Sequence, residues 1–245
     1  MRIIAIANHK GGVGKTTSVM NIGAALAQRG KRVLLVDLDA QANLTTSMLG
    51  EEPQISIYNA IVNDEALPIH HIADNIHLVP SSLDMAGAEL EISARMSREY
   101  LLKDLLEPVA DNYDYVLLDC SPSLGIITLN ALTACTDLFI PLTAEALPSK
   151  GLTKLLDIVD NVKKRLNRHI RLSGVIITRY ERSKLSQMVE EMLRDKFGSV
   201  VFNTKIRKNI AIAEAPLYTQ DVLTYAKDSN GAKDYQDLAD EIINT

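Results

Sequence analysis

Short apolar runs alternate along the chain with longer segments in which apolar residues recur every three or four positions. The first pattern indicates β-strands and the second indicates amphipathic helices; their alternation is typical of a parallel sheet with crossover helices. Several runs are almost entirely apolar, as expected of strands covered on both faces. The predicted strands are Ile3–Ala7, Arg32–Asp37, Ile76–Pro80, Tyr115–Asp119, Leu138–Leu142 and Leu172–Thr178.

The helical segments lie between these strands and after the last of them. Gly30 is well placed to end the first helix, because glycine readily adopts the left-handed conformation of a helix C-terminus. Residues 50–72 have weak periodicity and support no assignment, and no repeat or low-complexity linker divides the chain. The predicted helices are Thr16–Arg29, Asp84–Met96, Glu99–Ala110, Gly125–Cys135, Ser149–Asn167, Ser186–Phe197 and Ala232–Ile243.

Composition excludes several classes of protein. With 245 residues, 47% of them hydrophobic, the chain can bury a sizeable core and is neither disordered nor collagen-like. Its two cysteines, Cys120 and Cys135, lack the spacing of a zinc or redox site. The N-terminus does not resemble a signal peptide, and no apolar stretch reaches 18 residues. We therefore expect a cytoplasmic protein that does not span a membrane.

The segment between the first predicted strand and the first predicted helix reads Lys10-Gly-Gly-Val-Gly-Lys-Thr-Thr17. Its glycines let backbone N–H groups turn inward around phosphate oxygens, and the following helix presents its positive N-terminus. Lys15 can reach the β- and γ-phosphates, and the Thr16 hydroxyl can ligate magnesium. A strict G-x-x-x-x-G-K-[ST] pattern fails, because His9 replaces the first glycine and Lys10 adds a second lysine. The segment predicts a nucleoside triphosphate site.

Acidic residues follow two of the predicted strands. Alternation along the strand points Asp37 and Asp39 the same way at the carboxyl edge of the sheet, where open α/β folds bind ligands. One could hold the water shell of magnesium while the other orients an attacking water. Asp119 closes an apolar run, the context of a Walker B aspartate on Mg²⁺. One such acid is more often a strand-end cap, but three beside a phosphate loop favour a metal site.

These motifs resemble those of the deviant Walker ATPases of the ParA/Soj partition type, which are relatives of MinD. The resemblance covers essentially the whole chain, residues 1–245, and implies a single-domain α/β P-loop NTPase with a mostly parallel sheet flanked by helices on both faces. ATP and Mg²⁺ would be its cofactors, and ATP would close a sandwich homodimer. Further matching segments are Asp37-Leu-Asp-Ala-Gln-Ala-Asn43, Asp119-Cys-Ser-Pro-Ser-Leu-Gly125, Ala213-Glu-Ala-Pro216 and Gly231-Ala-Lys-Asp-Tyr-Gln-Asp-Leu-Ala239.

The resemblance also implies residue roles. Lys10 would reach across the dimer to the partner's ATP, and Lys15 would serve the nucleotide bound to its own chain. Asp39 would position the hydrolytic water, which makes Lys10, Lys15 and Asp39 the catalytic candidates. Thr16, Asp39 and Asp119 are the metal candidates. The expected ATP-binding residues are Lys10, Gly11, Gly12, Val13, Gly14, Lys15, Thr16, Thr17, Thr178, Arg179, Ile206, Arg207 and Asn209.

Three positions depart from the family pattern. Ala40 stands where the family commonly has proline, and His9 stands where glutamine is frequent. Arg207 stands where the family often has a proline that lines the adenine side. The residues around Arg207 are therefore expected to contact the base, but they do not match the family's residues at this place.

Charge is distributed unevenly along the chain. Residues Lys150 to Lys208 contain 15 Lys/Arg and 6 Asp/Glu, a net charge of +9, whereas the rest of the chain carries −14. A solvated helix end explains the run around Lys163 equally well, but the wider set of cations favours a face that binds DNA phosphates without sequence preference. The candidate DNA-binding residues are Lys163, Lys164, Arg165, Arg168, Arg194, Lys205 and Lys208.

The function expected from the resemblance is a DNA partition ATPase. Its ATP-bound dimers would hold double-stranded DNA on the nucleoid until a ParB-like centromere-binding protein stimulates hydrolysis. Only nine residues precede Lys10, so we expect no N-terminal helix-turn-helix. The alternatives are a MinD-like positioning ATPase acting on a protein or membrane cargo, which the acidic C-terminal segment disfavours, and a metabolic ligase, which Lys10 disfavours. A bridging iron-sulfur cluster at the cysteines is a further alternative, less favoured than simple burial.

Overall fold

The apolar runs of the sequence form the centre of an eight-stranded sheet in the computed structural model, which describes residues 1–145 and 150–245. Its strands are β1 (Arg2–Ile6), β2 (Val33–Asp37), β3 (His70–Ala73), β4 (Ile76–Val79), β5 (Tyr115–Asp119), β6 (Asp137–Thr143), β7 (Arg171–Tyr180) and β8 (Val201–Arg207). Their order across the sheet is β3-β4-β2-β5-β1-β6-β7-β8. Every pairing is parallel except the hairpin of β3 and β4.

Helices cover both faces of this sheet, which confirms the predicted fold class. The α-helices are α1 (Lys15–Gln28), α2 (Asn43–Leu49), α3 (Ile57–Asn63), α4 (Met85–Glu91), α5 (Leu101–Leu106), α6 (Ile126–Ala134), α7 (Lys150–Arg165), α8 (Lys184–Phe197), α9 (Ile210–Glu214), α10 (Val222–Tyr225) and α11 (Asn230–Ile243). Short 3₁₀ helices span Glu107–Asn112, Gly198–Val200 and Ala215–Tyr218. Within the described ranges, no helix is both long and apolar enough to cross a bilayer.

All six predicted strands are present, and two further strands were not predicted. The first, β3, is a four-residue edge strand paired antiparallel to β4, too short to show periodicity. The second, β8, carries charged residues that hide its apolar positions. Lys205 and Arg207 are ion-paired to helix residues Glu190 and Asp234, so their charges are compatible with a strand position.

Two predicted helices were too long. α4 ends at Glu91 instead of Met96, because the chain then turns and the Arg95 guanidinium bonds to backbone oxygens of Ile61 and Val62. The helix predicted to reach Ala110 becomes a 3₁₀ helix after Leu106, since Pro108 has no N–H for the α-helical ladder.

The remaining differences concern the predicted Ser149–Asn167 helix and residues 50–72, for which the sequence supported no assignment. The start of the predicted Ser149–Asn167 helix at Ser149 lies outside the described residues. In the unassigned region, α3 begins at a capping box, in which the Ser56 hydroxyl accepts from Tyr58 N and the Asn59 side chain accepts from Ser56 N.

The sheet divides the hydrophobic core into two layers. On β1, Ile3 and Ala5 belong to one layer and Ile4 and Ile6 to the other, as alternation of side chains along a strand requires. The first layer packs beneath α3 to α8, and the second beneath α1, α2 and α9 to α11.

Parallel pairing brings the carboxyl ends of the strands to one edge of the sheet. The register places Asp37 of β2 opposite Asp119 of β5, and Ile6 of β1 also pairs with Asp119. The loops after β1, β2 and β5 therefore meet at this edge, and these are the three segments with candidate chemistry.

At the opposite edge, a buried carboxylate joins the start of the chain to its end. Asp137 is fully buried, and Arg2 donates to both of its oxygens at 3.1 and 3.2 Å. Arg2 also donates to the backbone oxygen of Ile242 in α11 at 2.8 Å. Burial alone would raise the pKa of Asp137, but hydrogen bonds, led by the one from Arg2, hold that pKa below its usual value.

We expect Asp137→Asn to lower the free energy of unfolding by about 1–3 kcal/mol at neutral pH, because it removes the charged acceptor of a buried network. A carboxylate with a lowered folded-state pKa stabilises the fold above its unfolded pKa of about 3.9 and loses that contribution as pH falls. Urea unfolding should therefore show the difference shrinking below about pH 4. Asp64→Asn is the control, since its ion pair with Arg95 is mostly exposed. Equal destabilisation by both variants at pH 7 would contradict the assignment.

Candidate active site

The phosphate loop connects β1 to α1. Gly12 and Gly14 have φ angles of 70° and 89°, a left-handed conformation that residues with a Cβ adopt only with strain. Gly14 is the N-cap of α1, and Lys15 is its first residue. The loop therefore ends at a helix N-terminus, where backbone N–H groups and the helix dipole favour an anion.

The two lysines of this loop have different environments. Lys15 is 7% exposed, and its Nζ donates to the backbone oxygen of Lys10 at 3.4 Å. Burial lowers the pKa of Lys15, although the charges of Asp119, Cys120 and Asp39 oppose this shift. The side chain of Lys10, in contrast, is exposed to solvent. The ammonium of Lys15 thus lies inside the loop, whereas that of Lys10 is accessible from outside the chain.

Asp119 is a buried carboxylate without a hydrogen-bond partner. It is 1% exposed, and neither side-chain oxygen has a donor with suitable geometry, although the Thr16 hydroxyl is close enough to favour its charge. Burial, followed by the negative charge of Asp37, raises the pKa of Asp119 well above its usual value. Unpaired buried acceptors of this kind favour a cation, so Asp119 and the Thr16 hydroxyl fit Mg²⁺.

The described residues contain no cluster of three or more His, Cys, Asp or Glu that could form a metal site by themselves. Mg²⁺ usually keeps several waters and takes one or two carboxylates together with substrate phosphates. A bound Mg²⁺ would thus take oxygen ligands from Thr16 of the loop and Asp119 of β5, and the nucleotide would supply further ligands.

Asp37 and Asp39 are in different surroundings, although they are separated by one residue. Asp37 is fully buried and accepts from Thr45 N at 2.9 Å and from Thr45 Oγ1 at 2.8 Å. Burial raises the pKa of Asp37 to about 6, against the effect of these donors. Asp39 is half-buried, and its Oδ1 accepts from Gln41 N at 3.0 Å. Of the two, only Asp39 has an oxygen accessible to a reacting water.

A cleft of about 630 Å³ opens beside the phosphate loop and collects the candidate base-binding residues. Thr178 of β7 closes one wall, because its hydroxyl donates to the backbone oxygen of Val13 at 2.9 Å. Arg179 has a φ angle of 51°, a strained conformation for a residue with a side chain. The cleft is lined by Gly12, Gly14, Thr17, Thr178, Arg179, Ile206, Arg207, Lys208, Asn209, Ile210, Ile212, Ala213 and Tyr235.

The sequence did not reveal two residues that shape this cleft. Asp234 of α11 is 4% exposed and accepts from the backbone N of Arg207 at 2.9 Å and from its Nε at 3.0 Å. The buried hydroxyl of Tyr235 lies 3.5 Å from Ser18 Oγ of α1. Both residues lie in the segment Gly231 to Ala239, which resembles the family. That resemblance was the one feature of the sequence that could have pointed to them. The guanidinium of Arg207 is therefore held by Asp234 and is not free to contact a nucleotide.

The candidate DNA-binding residues fall into two groups. Lys163, Lys164, Arg165 and Arg168 are exposed at the C-terminal end of α7 and just beyond it. Arg194 and Lys205 instead both pair with Glu190, at 3.1 and 2.8 Å, and Lys208 pairs with Glu181 at 3.0 Å. An ion-paired cation attracts phosphate less strongly, so the structure favours the first group.

Both cysteines are buried, and each thiol donates to a nearby backbone oxygen, Cys120 to Leu118 and Cys135 to Leu132. Ligands that bridge two protomers must be accessible at the surface. The iron-sulfur alternative therefore gains no support from their position.

Comparison with known proteins agrees with this geometry. Residues 1–172 match the family model described as an AAA domain. The chain is 41% identical over 247 residues to the sporulation initiation inhibitor protein Soj of Bacillus subtilis (strain 168), with 98% of each chain covered. It is 40% identical over 250 residues to the chromosome-partitioning ATPase Soj of Treponema pallidum (strain Nichols), covering 99% of this chain and 97% of that one.

Solved structures share the fold over the same length. Cobyrinic acid a,c-diamide synthase from Mycobacterium smegmatis, with a bound ATP analogue and magnesium, superposes with a TM-score of 0.87 at 35% identity, covering 100% of this chain and 95% of that one. The cell division ATPase MinD from Pyrococcus furiosus gives a TM-score of 0.82 at 25% identity, with 99% and 98% covered. With a phosphate loop, an aspartate suited to magnesium and relatives aligned over nearly the full chain, this protein belongs to the Soj/ParA family of chromosome-partitioning ATPases.

Proposed function

We propose that this protein is a single-domain ATPase, residues 1–245, that acts as an ATP-driven switch in DNA partition. In the ATP-bound state two chains form a sandwich dimer that holds non-specific double-stranded DNA on the nucleoid. A ParB-like partner protein then stimulates hydrolysis to ADP and phosphate, and the dimer releases DNA. The observation that carries this proposal is the buried Lys15 of the phosphate loop near Asp119, a strand-end carboxylate that lies opposite Asp37 and has no hydrogen-bond partner.

Each step of hydrolysis has a candidate residue at this edge. Backbone N–H groups of Gly11 to Thr17 and the ammonium of Lys15 would bind the phosphates. Asp119 and Thr16 would hold Mg²⁺, whose charge stabilises the transferred phosphoryl group. Asp39 would orient the attacking water, and it is also a candidate contact of the metal's water shell. The exposed Lys10 would reach the nucleotide of the other chain.

The cleft beside the loop is the proposed site of the adenine base. Its walls include the buried side chain of Ile206, which offers apolar contact, and Thr178, Arg179 and Asn209, which offer polar groups. Arg207 lines the same wall with its guanidinium held by Asp234. The volume of about 630 Å³ lies in the usual range of ligand pockets.

The C-terminal helix argues against the membrane alternative. The apolar face of α11, including Tyr235, Leu238 and Ile242, is buried in the core beneath the sheet. Its remaining face carries acids such as Asp237 and Asp240, which an anionic lipid surface would repel. A helix already packed in this way has no apolar surface to offer a bilayer.

We expect Asp119→Asn to remove the magnesium dependence of ATP binding. Wild type should bind ATP at least about tenfold more tightly with Mg²⁺ than with EDTA, and the variant should show the same affinity in both conditions. Titration calorimetry with a non-hydrolysable analogue measures this, with the exposed Asp74→Asn as control. A wild-type response to Mg²⁺ in Asp119→Asn would exclude this aspartate from the metal site.

Lys15→Ala should abolish nucleotide binding, because it removes the buried cation of the loop. Lys10→Ala should leave binding to the monomer measurable but eliminate ATP-dependent dimerisation and hydrolysis. Sedimentation velocity with and without the analogue separates the two effects, and Lys103→Ala, another exposed lysine, serves as control. Normal dimerisation and turnover in Lys10→Ala would refute its role across the dimer.

Replacement of Lys163, Lys164 and Arg165 together by glutamate should weaken binding to random and cognate duplexes equally. Each lost phosphate contact should reduce the slope of log K against log salt by about 0.9. The control replaces the exposed Lys103, Lys227 and Lys233 by glutamate, which changes net charge equally outside the basic segment. Identical affinity and slope in the first variant and wild type would show that this run is only a solvated helix end.

A further inference from the structure

A buried hydrogen-bond network lies behind the loop that carries Asp39. Its centre is the carboxylate of Asp37, which is 0% exposed at the end of β2. Oδ1 accepts from the backbone N of Asp39 at 3.1 Å, and Oδ2 accepts from both the backbone N and the hydroxyl of Thr45 in α2. One side chain therefore fixes the start of the loop and the helix that follows it.

The Thr45 hydroxyl extends this network to a second loop. Because its proton is donated to Asp37, its oxygen is available as an acceptor, and Ser81 N donates to it at 2.8 Å. Thr45 and Ser81 are both at most 1% exposed. The loop after β2 and the loop after β4 are thus joined through a single hydroxyl group.

The loop between these anchors is a tight turn. Ala42 N donates to the backbone oxygen of Asp39 at 2.9 Å, and Gln41 N donates to Asp39 Oδ1 at 3.0 Å. Ala42 has a φ angle of 48°, so the turn includes a residue with a side chain in the left-handed region. Since Oδ1 is occupied by Gln41, the position of the remaining oxygen of Asp39 follows from the position of this turn.

A buried charge is a costly way to connect two loops. Asp37 lies opposite a second buried carboxylate, Asp119, and a neutral hydrogen-bonding side chain could hold α2 without that repulsion. Three donors converge on this one carboxylate at 2.8 to 3.1 Å, so its position relates the start of the loop to α2.

We propose that Thr45 is a positioning residue for ATP hydrolysis, which together with Asp37 and Ser81 N holds the Asp39 carboxylate where it orients the attacking water. This inference rests on the proposed role of Asp39. Thr45 itself would contact neither the nucleotide nor the water, so its effect should appear in turnover rather than in substrate binding.

The test compares Thr45→Val, which keeps the shape and removes the hydroxyl, with Thr45→Ser, which keeps the hydroxyl. In the full-length protein, Thr45→Val should lower kcat for Mg·ATP between about 10-fold and 100-fold, because small misplacements of a catalytic group have effects of that size. KM should change less than about twofold, since the contacts of the phosphate loop remain. Thr45→Ser should keep kcat within about threefold of wild type.

Thr46→Val is the matched control, because it makes the same change at the next, exposed position and should leave kcat unchanged. Thermal unfolding of each variant shows whether the fold is retained. If Thr45→Val does not fold, Thr45→Cys takes its place, since a thiol is a much weaker donor of similar size. Wild-type kcat in the variant that folds would overturn the proposal.

A double-mutant cycle with Asp39→Ala distinguishes positioning from a purely structural role. If Thr45 acts through Asp39, adding Thr45→Val to Asp39→Ala should not lower the single-turnover rate constant of hydrolysis any further. Independent, multiplying losses would refute the inference. Wild-type turnover in Asp39→Ala alone would refute the proposed role of Asp39, whereas slow turnover there with normal turnover in Thr45→Val would refute only the inference about Thr45.

Discussion

The burial of Asp119 without a hydrogen-bond donor is the constraint to which the rest of the site responds. A lone carboxylate in a dry core is unfavourable, and the neighbouring charge of Asp37 makes it more so. Lys15 is the nearby cation, yet it is itself buried and already bonded to a backbone oxygen. Mg²⁺ bound at this edge would supply the cationic partner that Asp119 lacks. Burial of Asp119 would thus favour binding of the metal, because its oxygens have no hydrogen-bond donor of their own.

Sequence patterns predicted most of this architecture where the physical signal was local. Apolar runs marked all the inner strands, and glycine spacing marked the phosphate loop, because φ angles such as that of Gly14 require glycine. Contacts between residues that are distant in the sequence left no such local pattern. β8 was hidden because the charges of Lys205 and Arg207 are balanced by Glu190 and Asp234, which lie on separate helices. Likewise, Asp37 at the end of β2 and Asp39 just beyond it look alike in the sequence, but only the structure shows that Asp37 pairs with β5 and accepts from Thr45.

Arg207 departs from the family pattern, and its contacts with Asp234 show how the fold accommodates the arginine. A proline at this position would present a flat apolar ring to the cleft, whereas arginine presents a long cation. Asp234 fixes that cation with its two oxygens and also binds the backbone N of the same residue. Because Asp234 lies on α11, whose other face is packed in the core, the wall of the cleft is held in place by the C-terminal helix. This wall of the cleft and the packing of the C-terminal helix are thereby connected.

In the proposed cycle, α7 places a further restriction on how ATP could control DNA binding. Near its start, Gly151 packs so closely on His9 that a Cβ there would come within 2.8 Å of the imidazole. Its 16 residues span about 24 Å, and Lys163 to Arg165 form its last turn. The basic end is therefore too far from the phosphate loop for a direct contact with nucleotide. In that cycle, ATP would act on the basic end through a shift of the whole helix against His9, or through dimerisation that places two basic ends on one duplex. The second route requires no change within the chain and would make DNA affinity depend on ATP through effective concentration alone.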